Sequence, residues 1–309
     1  MKILNGYSKI KKNNTVLTIG NFDGVHRGHQ KIIKQTVKLS KKKNLKSVVI
    51  TFKPHPSVFL KKNYKPFKLT SEETKIEEIK KLGIDYLTFL KFDKNFNKLS
   101  PESFVKKLVN FRPKFIVVGY NFRFGFKRKG DVHLLKKLSK KYLYTLKIIK
   151  PVISSNKITF NSTFIRKNLE LGKYNIVKKM LGRNWLLEGK IIKGRGRGKK
   201  LGYPTANFIL NDYALPMKGV YVTKSYFEKN KKKKYFGIAN IGNRPTFNEK
   251  KIFFENHFFN LKNFLYGKKI FVELLVFLRK EKKFANIKVL KKQIEKDILL
   301  AKKILNKNK

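Results

Sequence analysis

The segment TVLTIGNFDGVHRGHQKII, residues 15–33, decides the fold of the first half of the chain. An apolar run, TVLTIG, enters it, Gly20, Gly24 and Gly28 punctuate it, and an amphipathic stretch leaves it. It reads as a strand, a tight turn and a helix. Two of the chain's five histidines, His26 and His29, stand at the turn. In an open α/β sheet, ligands bind beyond the carboxyl ends of the strands, where this turn falls. The helix that follows offers unpaired N–H groups to an anion. Two imidazoles there can donate to phosphate oxygens as charge builds in a displacement at phosphorus. No Gly-Lys-Ser/Thr follows, so this is not a Walker loop, and it is not G-x-G-x-x-G.

Outward from that segment, strands and helices alternate. TVLTIG (15–20), SVVITF (47–52), YLTFLKF (86–92), KFIVVGY (114–120) and YTLKIIK (144–150) read as strands. HQKIIKQTVKLSKKK, SEETKIEEIKKLG, SPESFVKKLV and DVHLLKKLSKK between them read as helices. Short, nearly all-apolar strands between amphipathic helices predict a parallel sheet with helices on both faces. Ser71 and Ser100-Pro101-Glu102 look like helix starts.

Past residue 185 the pattern changes. Glycine and proline become frequent, and LLEGKIIK, TANFIL, GVYVTKSYF, KYFGIANIG, KIFFENHFF and KKIFVELLVFL follow without helices between them. That predicts an antiparallel barrel or sandwich. The tail, NIKVLKKQIEKDILLAKKIL, returns to helical spacing with apolar residues at 287, 290, 294, 298 and 301. The expected division is 1–184 and 185–309, after two helices near 163–182, with KNKKKK (229–234) as a solvated hairpin tip.

Composition narrows the function. The 309 residues contain no cysteine, which excludes disulfides, thiolate metal sites and cysteine nucleophiles. With 41% apolar residues the chain can bury a real core. No apolar run has the ~18 residues needed to span a bilayer, and the N-terminus lacks a signal-type segment. A cytoplasmic protein without a membrane partner is expected, monomeric or weakly associating. The net charge of +56 suggests nucleic acid. Yet only ten of the basic residues are arginine, and the 65 lysines are spread over nearly every element. Nucleic-acid modules concentrate charge on one face and favour arginine for bidentate contacts. No specific nucleic-acid partner is therefore expected.

GNFDGVHRGH resembles the H-x-G-H signature of nucleotidylyltransferases. In its longer form it resembles the adenylyltransferase half of the bacterial bifunctional riboflavin kinase/FAD synthetase family. TFKPHP (51–56), VVGYNFRFGFKRKGD (117–131) and NSTFIR (161–166) match further segments of that half, with Asn161 where the family usually has serine. Each has a plainer reading. His55 between prolines can be a rigid turn residue, FRFGFKRKG an aromatic-basic surface for single-stranded RNA, and NSTFIR a helix cap.

In the second half, GRGRGKKLGYPTANF (194–208) resembles the riboflavin kinase signature, with Arg195 where many relatives have an acid or glutamine. Glycines alternating with Arg and Lys suit triphosphate oxygens, though RGG-like RNA elements share the composition. Thr205 and Asn207 lie two apart, on one face of a strand. Hard oxygen donors of this kind suit Mg²⁺ bound with phosphates, although such a pair is also ordinary strand structure. PMKGVYV, NIGNRPTF, FENHFFN, LYGKKI, LRKEKKF and QIEKD complete the likeness in the family's order, over residues 14–305.

The resemblance implies a Rossmann-like nucleotidylyltransferase domain followed by a riboflavin kinase β-barrel with a terminal helix. It implies ATP, riboflavin and FMN as substrates, and Mg²⁺. Riboflavin is phosphorylated to FMN in the second domain, and FMN is adenylylated to FAD in the first. His26 and His29 are the implied catalytic residues of adenylyl transfer. Gly20, Phe22, Asp23, Gly24, Gly28, Asn121, Ser162, Thr163 and Arg166 are implied to bind nucleotide. Phe52, Pro54, His55 and Pro56 are implied to lie against the flavin. In the kinase, Gly196, Arg197, Gly198 and Lys200 are implied phosphate contacts, Thr205 and Asn207 metal ligands, Arg279 and Phe284 flavin contacts, and Glu255 the base. Retention of only one activity, or a basic RNA-binding protein, are the alternatives.

Overall fold

The computed structural model describes all residues except 8–9, 11–13, 61–65, 155–157, 195, 228–232, 244–251, 262–265 and 308–309. The chain forms two compact units, residues 1–65 with 72–161, and residues 66–71 with 162–309.

The first unit runs β1 (Lys2–Asn5), β2 (Thr15–Ile19), α1 (Arg27–Lys42), β3 (Lys46–Lys53), α2 (Pro56–Leu60), α3 (Glu72–Lys80), β4 (Tyr86–Lys91), α4 (Lys94–Asn97), α5 (Pro101–Leu108), β5 (Pro113–Gly119), α6 (Val132–Lys141) and β6 (Thr145–Ile149). Its sheet has the order β1-β4-β3-β2-β5-β6, and every neighbouring pair is parallel. The all-apolar strands have the expected cause, because both faces are covered. Leu17, Ile19, Val48, Ile50, Ile116 and Val118 pack with Phe104 and Leu108 of α5 and Leu135 of α6. On the alternate positions Val49 packs with Ile33 and Val37 of α1 and Ile79 of α3. Ser100 caps α5 by accepting from Ser103 N at 3.1 Å. Strand β1, largely exposed at the sheet edge, carries too little apolar pattern to be read from sequence.

The order reverses between β2 and β5. From β2 the chain moves outward through β3 and β4, then returns to place β5 on the other side. The crevice beyond the carboxyl ends of these two strands is the topological switch point, where open α/β sheets bind ligands. The loop carrying His26 leaves β2 there, and Asn121 follows β5 there.

The second unit runs α7 (Ser162–Glu170), α8 (Tyr174–Leu181), β7 (Trp185–Lys190), α9 (Arg197–Lys200), β8 (Ala206–Ile209), β9 (Gly219–Tyr226), β10 (Tyr235–Asn243), β11 (Ile252–Phe258), β12 (Lys269–Lys280) and α10 (Ile287–Asn306). Its antiparallel sheet has the order β7-β12-β9-β10-β11-β8, and a bridge from Ile192 to Asn207 brings the two ends together into a nearly closed barrel. Phe208 and Phe254 stack inside at 4.5 Å. Asn286 caps α10 through Val289 N, and Ile294, Ile298 and Ala301 pack on Val220, Val222 and Ile238. Ile287, expected on that apolar face, is 69% exposed because it lies in the first turn, before the helix reaches the barrel.

The compact units divide at 161/162. The two helices α7 and α8 group with the barrel and are tied to it by hydrogen bonds: Tyr174 OH donates to Tyr221 OH at 3.2 Å, and Met217 N to Leu169 O at 2.9 Å. Residues 66–71 join them through Trp185 Nε1, which donates to Leu69 O at 2.8 Å, and the Lys68–Asp212 ion pair at 2.7 Å. Ser71 directs its hydroxyl to Glu188. The hairpin tip expected at 229–234 falls mostly outside the described residues.

Candidate active sites

His26 is the N-cap of α1. Its Nδ1 accepts from Gly28 N at 3.1 Å and from His29 N at 3.4 Å. A nitrogen that accepts carries no proton, so the neutral ring holds its proton on Nε2, as a donor on the far side of the imidazole. The cap also fixes where the next imidazole goes. The His26 and His29 rings stack at 3.6 Å with 24° between their planes. Phe22, fully buried, meets the His29 ring edge-on at 5.3 Å and 84°.

The three glycines of the turn serve it in different ways. Of Gly20, Gly24 and Gly28, only Gly24 has a positive φ, +84°. A side chain on Gly28 would put Cβ 2.9 Å from His26 Cε1, and one on Gly20 would put it 3.1 Å from the Phe22 ring. These two glycines make room for the protein's own rings. The strained backbone belongs to Phe22 and Val25, at φ +46° and +39°. Such conformations cost on the order of 1–3 kcal/mol each and cluster at functional turns. Asp23 is buried in the same turn.

The other expected nucleotide and flavin residues of this unit sit on neighbouring strand ends. A Cβ on Gly119 would lie 3.5 Å from Asn121 Oδ1 and 3.3 Å from Ile32 of α1, so Asn121 stands close to the start of that helix. Phe52, at the end of β3, packs edge-on to Phe92 and Phe96 at 6.0 and 5.5 Å. Pro54 follows a cis peptide bond. His55 repeats the His26 device in miniature, with Nδ1 accepting from Ser57 N at 3.1 Å, and Pro56 begins α2. Ser162, Thr163 and Arg166 open α7 in the second unit. There Arg166 Nε donates to Phe67 O at 2.7 Å and its guanidinium lies over the Phe67 ring.

Lys75 was not singled out in the sequence. It is 7% exposed, and its ammonium donates to Asn21 O at 2.9 Å. Nothing in the surface-type composition of α3, EETKIEEIK, marks this lysine as interior.

In the second unit, Arg197, Gly198, Thr205, Glu255, Arg279 and Phe284 line one cavity of about 350 Å³. Gly196, with φ +74°, turns the chain into α9, where Lys200 is exposed. A Cβ on Gly198 would lie 2.5 Å from Tyr203 O and 3.3 Å from Thr205 Oγ1, so only glycine lets this loop close on the strand. Glu255 in β11 lies across from Asn207 of β8 on one side and Asn240 of β10 on the other. Asn207 directs its amide nitrogen to Thr205 O at 3.2 Å, which turns the carboxamide oxygen the opposite way. A hydroxyl, a carboxamide oxygen and a nearby carboxylate fit a Mg²⁺ that takes its remaining ligands from phosphates and water.

Arg279 is built into the wall. A bulge in β12 between Phe277 and Arg279 re-aims the side chain. Its Nε donates to both Asp297 oxygens at 3.0 Å and Nη2 to one at 2.7 Å, while Phe284 lies over the guanidinium at 5.7 Å. Gln293 donates to the same carboxylate at 2.9 Å. Asn240, His257 and Asp297 line the cavity without having been singled out as site residues. His257 Nδ1 lies 2.9 Å from Pro204 O. Tyr203 donates to Glu295 at 3.1 Å, and its hydroxyl pKa is raised, first by desolvation and then by that glutamate.

Residues 8–164 match the FAD synthetase family and residues 181–305 the riboflavin kinase family. A bifunctional riboflavin kinase/FMN adenylyltransferase from Buchnera aphidicola subsp. Schizaphis graminum is 40% identical over 99% of both chains. The chain belongs to this family. The Escherichia coli K12 bifunctional riboflavin kinase/FMN adenylyltransferase is 33% identical over 100% of this chain and 99% of its own. A solved structure described as a macrolide-efflux protein from Streptococcus pneumoniae shares the fold, with a TM-score of 0.84 and 27% identity over 96% of this chain and 97% of that one. No described helix here is long and apolar enough to cross a membrane. The chain carries both enzyme domains of this family, in the order its motifs imply.

Proposed function

We propose that the turn between β2 and α1 performs adenylyl transfer and that the barrel cavity performs phosphoryl transfer. In the first, a phosphate oxygen of FMN attacks the α-phosphorus of ATP, the bond to the β-phosphate breaks, and FAD and pyrophosphate form. The stacked His26–His29 pair at the switch point carries this reading. His26 presents Nε2–H because its other nitrogen is committed to the cap, and a donor held in place needs no reorganisation as charge builds. Gly20, Phe22, Asp23, Gly24 and Gly28 shape the turn, and Asn121 lines it from β5. Ser162, Thr163 and Arg166 contribute to the nucleotide, and Phe52, Pro54, His55 and Pro56 to the flavin.

In the second unit Glu255 accepts the proton of the ribityl 5′-hydroxyl, whose oxygen attacks the γ-phosphorus of ATP, releasing ADP and forming FMN. Such transfers depend on positioning and charge stabilisation. Gly196, Arg197, Gly198 and Lys200 hold the triphosphate, and Arg279 and Phe284 hold the ring system. Thr205 and Asn207 are the residues that would hold Mg²⁺, which supplies neutralisation of phosphate charge. The dispersed lysines leave the enzyme without a specific nucleic-acid partner, as a cytoplasmic monomer or weak oligomer.

Incubation with riboflavin, ATP and Mg²⁺, followed by chromatographic separation of the flavins, tests the reading. FAD supports both sites, FMN alone a working kinase only, and unchanged riboflavin overturns it.

A further inference from the structure

Lysine 75 does not face solvent. It is one of the buried residues of α3, with Thr74 and Ile79, and its ammonium donates at 2.9 Å to the main-chain oxygen of Asn21. Thr51 Oγ1, at the end of β3, donates to the same oxygen at 3.2 Å. A buried ammonium is costly unless it is hydrogen-bonded, and a leucine or methionine would fill this helix position without that cost. The carbonyl it holds belongs to the peptide just before Phe22, whose φ is +46°. The Phe22 ring is the one that meets His29 edge-on at 5.3 Å, and His29 stacks on His26 at 3.6 Å.

We propose that Lys75 is a positioning residue for adenylyl transfer, acting through the Asn21 carbonyl and the Phe22 ring on the orientation of His29. Lys75 and Thr51 fill both lone-pair directions of that carbonyl and lock the peptide that forces Phe22 into the left-handed region. With the lock removed, the peptide can relax toward ordinary φ, the Phe22 ring swings, and His29 loses the wall that holds it against His26. The inference rests on the assignment of adenylyl transfer to the histidine pair.

The test uses the full-length chain with Lys75→Met and Thr51→Val, beside His29→Ala. FMN adenylylation is measured with ATP and FMN varied, and riboflavin phosphorylation is measured on the same preparations as an internal control of folding. Side-chain ¹⁵N spectra of the ligand-free protein report the histidines. For Lys75→Met, kcat for FAD formation falls roughly 10–100-fold, the scale set by ångström misplacement. KM for ATP stays within about twofold, as expected for a group that acts through orientation, FMN formation is unchanged, and the His26 and His29 nitrogen signals move. Thr51→Val shifts the same quantities in the same direction by less.

Unaltered kcat and histidine signals in Lys75→Met overturn the proposal. So does a loss confined to KM for ATP, which would mean direct phosphate contact. If Lys75→Met fails to fold and loses both activities, Thr51→Val decides, and a wild-type kcat there overturns the proposal. Full FAD formation by His29→Ala would instead overturn the histidine assignment.

Discussion

The imidazoles of His26 and His29 stack at 3.6 Å because His26 Nδ1 caps the helix on whose first turn His29 rides. Cap and catalytic donor are opposite edges of one ring. His26→Ala removes both and loses about 1 kcal/mol of stability, the usual worth of an N-cap. His26→Asn, a good cap residue, recovers most of that stability but not FAD formation. His29→Ala abolishes FAD formation and leaves FMN formation largely intact. Thermal melts and flavin chromatography check the three variants, and simultaneous loss of both activities in His29→Ala would argue against separate sites.

Glu255 lies between Asn207 and Asn240 on neighbouring strands of the barrel. Glu255→Gln keeps the shape and removes the proton acceptor. FMN formation from riboflavin falls by about 10²–10⁴-fold, the range of general-base catalysis. FAD formation from supplied FMN continues at the wild-type rate. Separate assays starting from riboflavin and from FMN distinguish the two steps.

Asp297 is nearly buried and binds Arg279 through three donor contacts. Asp297→Asn removes the carboxylate charge that the guanidinium binds beside the cavity. Breaking a buried pair on one side costs about 3 kcal/mol. Denaturant unfolding should show that loss, and KM for riboflavin should rise as the Arg279–Phe284 wall loosens. A variant of unchanged stability and KM would remove Asp297 from the site.

Asp131 caps α6 by accepting from Leu134 N at 3.0 Å, with Arg123 at 3.2 Å. Its pKa is lowered, chiefly by that backbone hydrogen bond and also by Arg123. A folded-state pKa below the unfolded one contributes stability that is complete above the unfolded value and is lost as pH falls through the folded value. The melting-temperature gap between wild type and Asp131→Asn should therefore be widest near neutrality and close progressively below about pH 4, the ordinary aspartate range.

Much of this protein was legible in the primary structure because the signals are local. All-apolar strands alternating with amphipathic helices report a sheet covered on both faces, and the strand-only pattern after residue 185 reports the barrel. Strand β1 escaped, because an exposed edge strand of four residues has no periodicity to read. Which elements α7 and α8 pack on is likewise not carried by their own pattern, since an amphipathic face shows that a helix is buried and not what buries it.

The turn NFDGVHRGH, with its histidines and glycines, and the cavity-lining Arg197 and Thr205 stand out by residue type and spacing, whereas Glu255 was implied only by the family resemblance. That Gly28 serves the His26 ring, that Asp297 holds Arg279, and that Lys75 reaches across 54 positions to Asn21 were decided only by the tertiary structure. Periodicity determines which face of an element turns inward. Which atoms meet there depends on strand order and helix packing, which the pattern along the chain does not carry.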